Sequence, residues 1–121
     1  MKLAVVTGAN RGIGLEFCRQ LTGQGYKVLG ACRQSSPALD AMSVDVIPEI
    51  DVSDRNSVLA LSEVVGDQPL DLLVNNAGIM RKETVSEMDY GTIVEQFHVN
   101  SLGPLQMTLG LRKHFRYGSK V

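Results

Sequence analysis

The sequence predicts an α/β protein built on a doubly wound parallel sheet. Four short apolar runs of β type alternate with segments of helical periodicity, and a glycine-rich turn stands directly between the first run and the first helical segment. Parallel neighbouring strands need a crossover connection, and a helix supplies it. The fourth run, LDLLV at Leu70–Val74, is almost continuously apolar, as expected for a strand that is covered by helices on both faces.

The first two strands follow from local pattern. Residues 3–6 form a compact β-type run that stops at the glycine-rich turn, and residues 26–32 form a second run. Between them lies a predicted helix that ends near Gly23 and Gly25. The spacing that predicts this helix rests on four apolar residues: Ile13, Phe17, Cys18 and Leu21.

The second half of the chain repeats the alternation. The turn-forming stretch SSPALD leads to a third run at residues 44–52, and Ser53 or Asp54 can cap the helix that follows. Gly66 and Pro69 end that helix, and residues 88–115 are helical in pattern, with Pro104 expected to bend or break them. The predicted apolar face of the helix after Asp54 consists of Val58, Leu61, Val64 and Val65.

Composition excludes several functional classes. Apolar residues make up 44% and charged residues 21%, with a net charge of -1, which argues against disorder and against a basic nucleic-acid-binding surface. The apolar runs are far shorter than the roughly 20 residues that span a membrane. Cys18 and Cys32 do not form a CxxC pair or a zinc site, so we expect buried free thiols, no metal, and a reduced, cytoplasmic location. We expect a single domain at residues 1–121.

The turn TGANRGIG at residues 7–14 predicts a phosphate-binding site. Gly8 can adopt the positive φ that a strand-to-helix turn needs, Gly12 leaves room for a pyrophosphate, and Gly14 permits close packing of helix and strand. The N-terminus of the following helix offers unpaired N–H groups to an anion. The alternative is an ordinary turn between a strand and a helix.

Four motifs in order resemble the short-chain dehydrogenase/reductase family. They are TGANRGIG, DVSD at residues 51–54, NNAG at residues 75–78 and Asn100 within HVNSLGP. The stretches NRGIGLEF, ACR and SEMDY resemble, more narrowly, the branch that includes the C-factor and sniffer-like carbonyl reductases. The resemblance covers the N-terminal half of such a protein, and it implies a three-layer Rossmann-type sheet that is truncated after about four strands.

The resemblance also implies roles for individual residues. Asp51 would accept the adenine amino group, although the residue-level alternative is a helix-capping acid. Asn100 would hold a water on the catalytic proton relay. The implied cofactor-binding residues are Gly8, Asn10, Arg11, Gly12 and Ile13 around the diphosphate and adenosine ribose, Asp51 and Val52 at the adenine, and Asn76, Ala77 and Gly78 along the cofactor.

The end of the second strand favours NADP(H) over NAD(H). An acidic residue there accepts the ribose hydroxyls of NAD, whereas an arginine suits the 2′-phosphate of NADP. Here Cys32 stands in the acidic position with Arg33 beside it, and Arg11 is a second guanidinium on the same side. The alternative for Arg33 is a solvated surface charge.

The family's catalytic serine, tyrosine and lysine are not found. Tyr117 and Lys120 are three residues apart instead of four, and they precede the expected fifth strand. We interpret GSKV, at residues 118–121, as the turn into that strand, so Ser119 also comes too early. His98 and His114 are expected to be structural or surface residues. No turnover is therefore expected of this chain by itself.

The missing strand predicts two exposed surfaces. The fourth strand would lie at the sheet edge with unpaired backbone groups, and the long C-terminal helix would lose its partner. Homo-oligomers through that helix, or marginal stability, are the expected consequence. The apolar residues expected to drive association are Phe97, Leu102, Leu105, Met107, Leu109 and Leu111.

Three functional hypotheses remain open at this point. The chain is the cofactor-binding part of an NADP(H)-dependent carbonyl reductase that acts on small carbonyl or alcohol substrates, with no nucleic-acid or membrane partner. Alternatively it is a non-catalytic dinucleotide-binding or protein-interaction module of the same ancestry. A third hypothesis is a subunit that another polypeptide completes.

Overall fold

The computed structural model describes all residues from 1 to 121 and contains one five-stranded sheet. The strand order is β3-β2-β1-β4-β5 and every pair is parallel. The doubly wound α/β class is therefore confirmed. The strands are β1 Leu3–Thr7, β2 Lys27–Ala31, β3 Asp45–Ile47, β4 Leu70–Val74 and β5 Phe115–Lys120. The helices are α1 Gly12–Gly23, α2 Pro37–Asp40, α3 Arg55–Val65, α4 Tyr90–Phe97 and α5 Gly103–Leu111.

Strand β1 divides the hydrophobic core into two clusters. Its five residues are all buried, and alternate side chains point to opposite faces of the sheet. Leu3 and Val5 belong to the cluster under α3 and α5, whereas Ala4 and Val6 belong to the cluster under α1 and α2. Helices therefore cover both faces of the sheet, which gives the three layers that the sequence predicts.

Helix α1 buries a narrower face than its spacing predicts. Cys18 and Leu21 pack in the second cluster as expected. Ile13 is 72% exposed and Phe17 is 41% exposed, so only two of the four apolar residues at helical spacing lie in the core. These two side chains lie four residues apart, at the margin of the apolar face that contains Cys18 and Leu21.

The segment between β2 and α3 is less regular than predicted. Strand β3 covers three residues of the predicted run at residues 44–52 because Pro48 has no N–H to donate and Glu49 has a positive φ of 61°. Within the stretch predicted only as turn-forming, α2 forms a single helical turn that Ser36 caps. The shorter β3 and the additional helix α2 both depend on backbone hydrogen bonds, and the pattern of apolar residues does not predict these bonds.

Helix α3 matches its predicted bounds. The side chain of Asp54 accepts a hydrogen bond from the N–H of Asn56 at 2.9 Å, so Asp54 is the N-cap, and Gly66 follows the last turn. Val58, Leu61 and Val65 are buried as predicted, but Val64 is 46% exposed because it lies at the margin of the apolar face. The structure thus resolves the choice of cap in favour of Asp54.

A π-helical turn joins α4 to α5 just before Pro104. The turn covers His98–Leu102, and Pro104 lies in the first turn of α5. Proline has no N–H for the regular helical bond, which explains a wider turn at this point. The predicted disturbance of the long helix is confirmed, although helical backbone continues on both sides.

The prediction that β4 lies at the sheet edge is wrong. Strand β5 pairs in parallel with it, with Leu70 opposite Phe115 and Leu72 opposite Lys120, and the register shifts between the two positions. The stretch GSKV, except for its last residue, therefore belongs to a strand. Strand β5 lies at the edge of the sheet and pairs with β4 alone. Its sequence FRYGSK is mostly polar and its residues are exposed or half-buried, so it shows no alternation of apolar residues that would predict a strand.

Helix α5 also keeps a packing partner. Met107 and Leu111 are fully buried in the first cluster, and α5 packs against α3. The expectation that these two residues are exposed is therefore wrong, whereas Phe97, Leu105 and Leu109 are each more than half exposed. No helix of the protein has the length and apolar character needed to cross a membrane.

Candidate cofactor-binding site

A groove of about 440 Å³ opens at the carboxyl edge of the sheet. It is formed by the segments that follow β1, β2 and β4 and by the segment that precedes α3. All eleven residues that were predicted to bind the cofactor, ten from the resemblance and Arg33 from the end of the second strand, line this one groove: Gly8, Asn10, Arg11, Gly12, Ile13, Arg33, Asp51, Val52, Asn76, Ala77 and Gly78. The remaining lining residues are Cys32, Ile50, Ile79 and Val99.

Glycine is required at the turn for two separate reasons. Gly8 has a φ of 62° and Gly12 a φ of 56°, values in the left-handed region that other residues rarely adopt. A Cβ on Gly14 would stand 2.1 Å from the carbonyl oxygen of Gly8, so the helix can approach the turn only without a side chain. A Cβ on Gly12 would meet no protein atom within 4 Å, so the positive φ is the reason for glycine at this position.

The N-terminus of α1 presents amide hydrogens to the groove. No side chain caps this helix, and its first backbone hydrogen bond runs from the N–H of Leu15 to the carbonyl of Arg11 at 3.2 Å. The amides of Gly12, Ile13 and Gly14 consequently have no protein acceptor. Unpaired amides at a helix N-terminus fit a phosphate group.

Thr7 and Asn76 fasten the two walls of the groove together. The Thr7 hydroxyl accepts hydrogen bonds from the N–H of Asn76 at 3.0 Å and of Ala77 at 2.9 Å. The Asn76 amide donates to the carbonyls of Thr7 at 3.1 Å and Gly8 at 3.2 Å. The sequence analysis did not identify Thr7 as a functional residue. It could have been found as the one polar residue at the end of the apolar, buried strand β1.

Asp51 does not cap helix α3, because Asp54 does. Its Oδ1 accepts hydrogen bonds from the N–H of Ser53 at 2.9 Å and from the hydroxyl of Ser53 at 2.7 Å. Its Oδ2 has no protein donor and remains able to accept one from a ligand. Val52 beside it is buried, and Gly103 of α5 supports it from behind, where a Cβ would stand 2.7 Å from Val52 Cγ2.

Two arginines on this groove have no anionic partner in the protein. Arg11 and Arg33 are both exposed, and neither forms a salt bridge. Cys32 lies buried at the end of β2, and Asp51 is the only acidic residue among those that line the groove. The groove therefore combines unpaired amides with unpaired guanidinium groups, a donor set suited to phosphates.

Asn100 is bound differently from the other candidates. Its Oδ1 accepts a hydrogen bond from the N–H of Ile79 at 2.8 Å, and its Nδ2 donates to the carbonyl of Ile79 at 2.7 Å. The residue lies in the π-helical turn and does not line the groove. Its side chain therefore positions the backbone that follows NNAG.

The remaining candidates lie away from the groove. Tyr117 is fully exposed on β5, and Lys120 is near the end of the same strand. His114 is 7% exposed and its Nε2 lies 2.8 Å from the hydroxyl of Ser62, while burial lowers its pKa. Cys18 and Cys32 are buried and unpaired as predicted, and burial raises the pKa of Cys18 to about 11.

Fold and groove together define an α/β protein of the Rossmann type, a class that binds ligands at the carboxyl edge of its sheet. The sequence model of the short chain dehydrogenase family matches residues 2–120. The chain therefore belongs to the short-chain dehydrogenase/reductase family, and the resemblance of its motifs to that family is confirmed.

Individual relatives agree with this assignment. The chain is 34% identical to the 1-hydroxy-2-glutathionyl-2-methyl-3-butene dehydrogenase of a Rhodococcus species, with 100% of this chain and 54% of that protein covered. A short chain dehydrogenase from Burkholderia cenocepacia in complex with NADP is 26% identical, with a TM-score of 0.85, and the match covers 98% of this chain and 52% of the other. The NADPH-bound carbonyl reductase from chicken fatty liver is also 26% identical, with a TM-score of 0.81 and coverage of 94% and 52%. The chain thus spans about half the length of these relatives.

Proposed function

We propose that this chain is the cofactor-binding part of an NADP(H)-dependent short-chain oxidoreductase. The observation that carries the proposal is the groove at the carboxyl edge, where three amides of α1 and the guanidinium groups of Arg11 and Arg33 have no protein acceptor. Unpaired amides at a helix N-terminus and guanidinium groups on the same groove are donors that bind phosphate groups well. A dinucleotide with three phosphate groups supplies anions for both sets of donors.

Different residues of the groove would bind different parts of the cofactor. The amides of Gly12 and Ile13 would hold the diphosphate, and Gly12 has no side chain that would obstruct it. Asp51 would accept the adenine amino group through its free Oδ2, with Val52 against the ring. Asn76, Ala77 and Gly78 would form the wall along the rest of the cofactor.

The proposed reaction of the whole protein is carbonyl reduction or alcohol oxidation. NADP(H) supplies or takes up a hydride at C4 of its nicotinamide ring. Within this chain, Asn100 would act on that chemistry by positioning the backbone at Ile79, which lines the groove. The likeness to the chicken carbonyl reductase supports a small carbonyl compound or alcohol as substrate.

Cofactor preference provides the first test. Replacement of Arg33 by alanine removes a charge-assisted contact to the 2′-phosphate, worth about 10- to 100-fold in affinity. We expect the Kd for NADPH to rise by roughly that factor and the Kd for NADH to change less than about 2-fold. Fluorescence titration of both cofactors measures the two constants.

Arg112→Ala is the matched control, since Arg112 is exposed and lies outside the groove. It should leave both affinities at the wild-type value. Equal losses for NADPH and NADH in Arg33→Ala would contradict the assignment of Arg33, and a wild-type protein that binds neither cofactor would refute the proposed function.

We propose a cytoplasmic location for the protein. The two unpaired cysteines support it because oxidising compartments favour disulfides.

We also propose a homo-oligomer through the long helical segment. The exposed apolar side chains of Phe97, Leu105 and Leu109 support this interface.

A further inference from the structure

Ser36 connects two separate parts of the groove. Its hydroxyl donates a hydrogen bond to the carbonyl oxygen of Asn10 at 2.5 Å, across 26 residues of sequence. The same oxygen accepts a hydrogen bond from the N–H of Leu39 at 3.2 Å and caps α2. Ser36 thereby joins the segment after β2 to the glycine turn after β1.

This bond lies between the two arginines of the groove. Asn10 directly precedes Arg11, and Ser36 follows Arg33 by three residues. At its other end the same segment is held by the N–H of Glu49, which donates to the carbonyl of Arg33 at 3.0 Å. The backbone that carries Arg33 is therefore held at two points. The Ser36 bond is the side-chain hydrogen bond that connects it to the turn that contains Arg11.

Helix α2 gives this connection a rigid base. Leu39 is fully buried in the second core cluster, and its Cδ1 packs near Gly30 of β2. The Ser36 hydroxyl is thus held at a defined position by a packed turn of helix. Its neighbour Ser35 behaves differently, because its hydroxyl donates to Asp40 at 2.6 Å and does not reach the glycine turn.

We propose that Ser36 is a positioning residue for recognition of the cofactor's 2′-phosphate. By tying the Arg33 segment to Asn10, it holds the guanidinium groups of Arg11 and Arg33 on one side of the groove so that both can contact the same phosphate. This inference rests on the proposed function and extends it, since it concerns the geometry of the two arginines.

The expected effect is confined to the 2′-phosphate. Preorganised donors bind an anion more tightly because less freedom is lost on binding. Without the hydroxyl, the Arg33 segment loses its bond to the glycine turn, but the amides of α1 stay unpaired and the carboxylate of Asp51 keeps its hydrogen bonds. Affinity for NADPH should therefore fall, while affinity for NADH should not.

The test is titration of NADPH and NADH against Ser36→Ala, Ser36→Gly and Ser36→Thr, with Ser35→Ala as the matched control. Glycine is nearly as good a helix N-cap as serine, so Ser36→Gly removes the hydroxyl and preserves α2 even where alanine disturbs folding. We expect the ratio of the NADH Kd to the NADPH Kd to fall about 3- to 10-fold in the alanine and glycine variants. Ser36→Thr and Ser35→Ala should retain the wild-type ratio.

The outcomes separate this inference from the proposed function. If wild type prefers NADPH and the Ser36 variants keep that preference, the inference is overturned and the proposed function stands. Equal losses for both cofactors in Ser36→Gly would assign Ser36 a purely structural role and also overturn the inference. If wild type shows no preference for NADPH, the proposed cofactor assignment fails and this inference fails with it.

Discussion

At the scale of single residues, His114 has a role that its position in the sequence does not reveal. It is almost fully buried, it contacts the hydroxyl of Ser62, and burial is the main cause of its lowered pKa, with the nearby charge of Lys113 acting in the same direction. Asp67 and the backbone of Gly66 oppose these effects without reversing them. The folded protein therefore favours the neutral imidazole.

This lowered pKa predicts a pH-dependent stability. Because the unfolded state, with a pKa of about 6.5, takes up a proton before the folded state does, the stabilisation is complete above that pKa and is lost as pH falls below it. We expect the free energy of unfolding, measured by urea titration, to decrease between about pH 7 and pH 5 in the wild type. In His114→Gln this decrease should be smaller.

His98→Gln provides the control because His98 is exposed in the π-helical turn. This variant should keep the wild-type pH dependence. A wild-type stability that rises on acidification over the same interval, or an equal response of both variants, would disprove the assignment to His114.

Residue-scale predictions from sequence succeeded where the chemistry is local. Gly8 and Gly14 were identified because a strand-to-helix turn imposes its requirements within a few residues, and the structure shows the positive φ and the close approach that were expected. The eleven cofactor-binding candidates come together in one groove, while their contacts with a cofactor remain part of the proposed function. Thr7 and Ser36 were missed because their partners lie 69 or 70 and 26 residues away.

At the scale of helices and strands, the contact of α5 with α3 depends on a glycine. A Cβ on Gly110 would stand 2.2 Å from Cγ1 of Val58, a residue of the first core cluster. We expect Gly110→Ala to destabilise the protein by about 1–3 kcal/mol, because overpacking outweighs the gain of about 1 kcal/mol in helix propensity. Chemical denaturation measures the change.

Gly23→Ala is the matched control, since a Cβ at that helical position meets no atom within 4 Å. It should be neutral or stabilising by up to about 1 kcal/mol. The double variant Gly110→Ala/Val58→Ala removes the clashing methyl, so it should show strong coupling. Strict additivity of the two changes would contradict the packing argument.

The accuracy of the predicted elements follows from their environment. Strand β4 was predicted with its observed bounds because both of its faces are covered and its sequence is apolar. Strand β5 was missed because its exposed residues carry no apolar alternation, and β3 was predicted too long because Ile50 and Val52 are buried without being in a strand. The pattern of apolar residues indicates which residues are buried. It indicates strand pairing only where the buried residues also belong to a strand.

At the scale of the whole molecule, the long helical segment retains an exposed apolar face. Phe97, Leu105 and Leu109 are 55%, 53% and 56% exposed, and they surround the π-helical turn in the chain. We expect the protein to self-associate in sedimentation experiments, and Leu105→Gln/Leu109→Gln to shift it toward monomer because less apolar area is removed from water.

Leu59→Gln is the control for this surface. Leu59 is 50% exposed, but it belongs to α3 and lies outside the long helical segment. Its replacement should leave the association unchanged. A wild-type protein that remains a monomer over the accessible concentration range would rule out this surface as an interface.

The sequence by itself determined the fold class, the position of the glycine turn and eleven of the fifteen residues that line the groove. The fold class and the turn follow from local rules, because strands and helices alternate and parallel strands end at the same edge, whereas most of the groove residues follow from the resemblance of the motifs to the family. Only the tertiary structure decided that β5 covers β4, that Met107 and Leu111 are buried, and that Asn100 binds the backbone of Ile79. Such contacts join residues distant in the chain, and local periodicity carries no information about which distant surface a side chain meets.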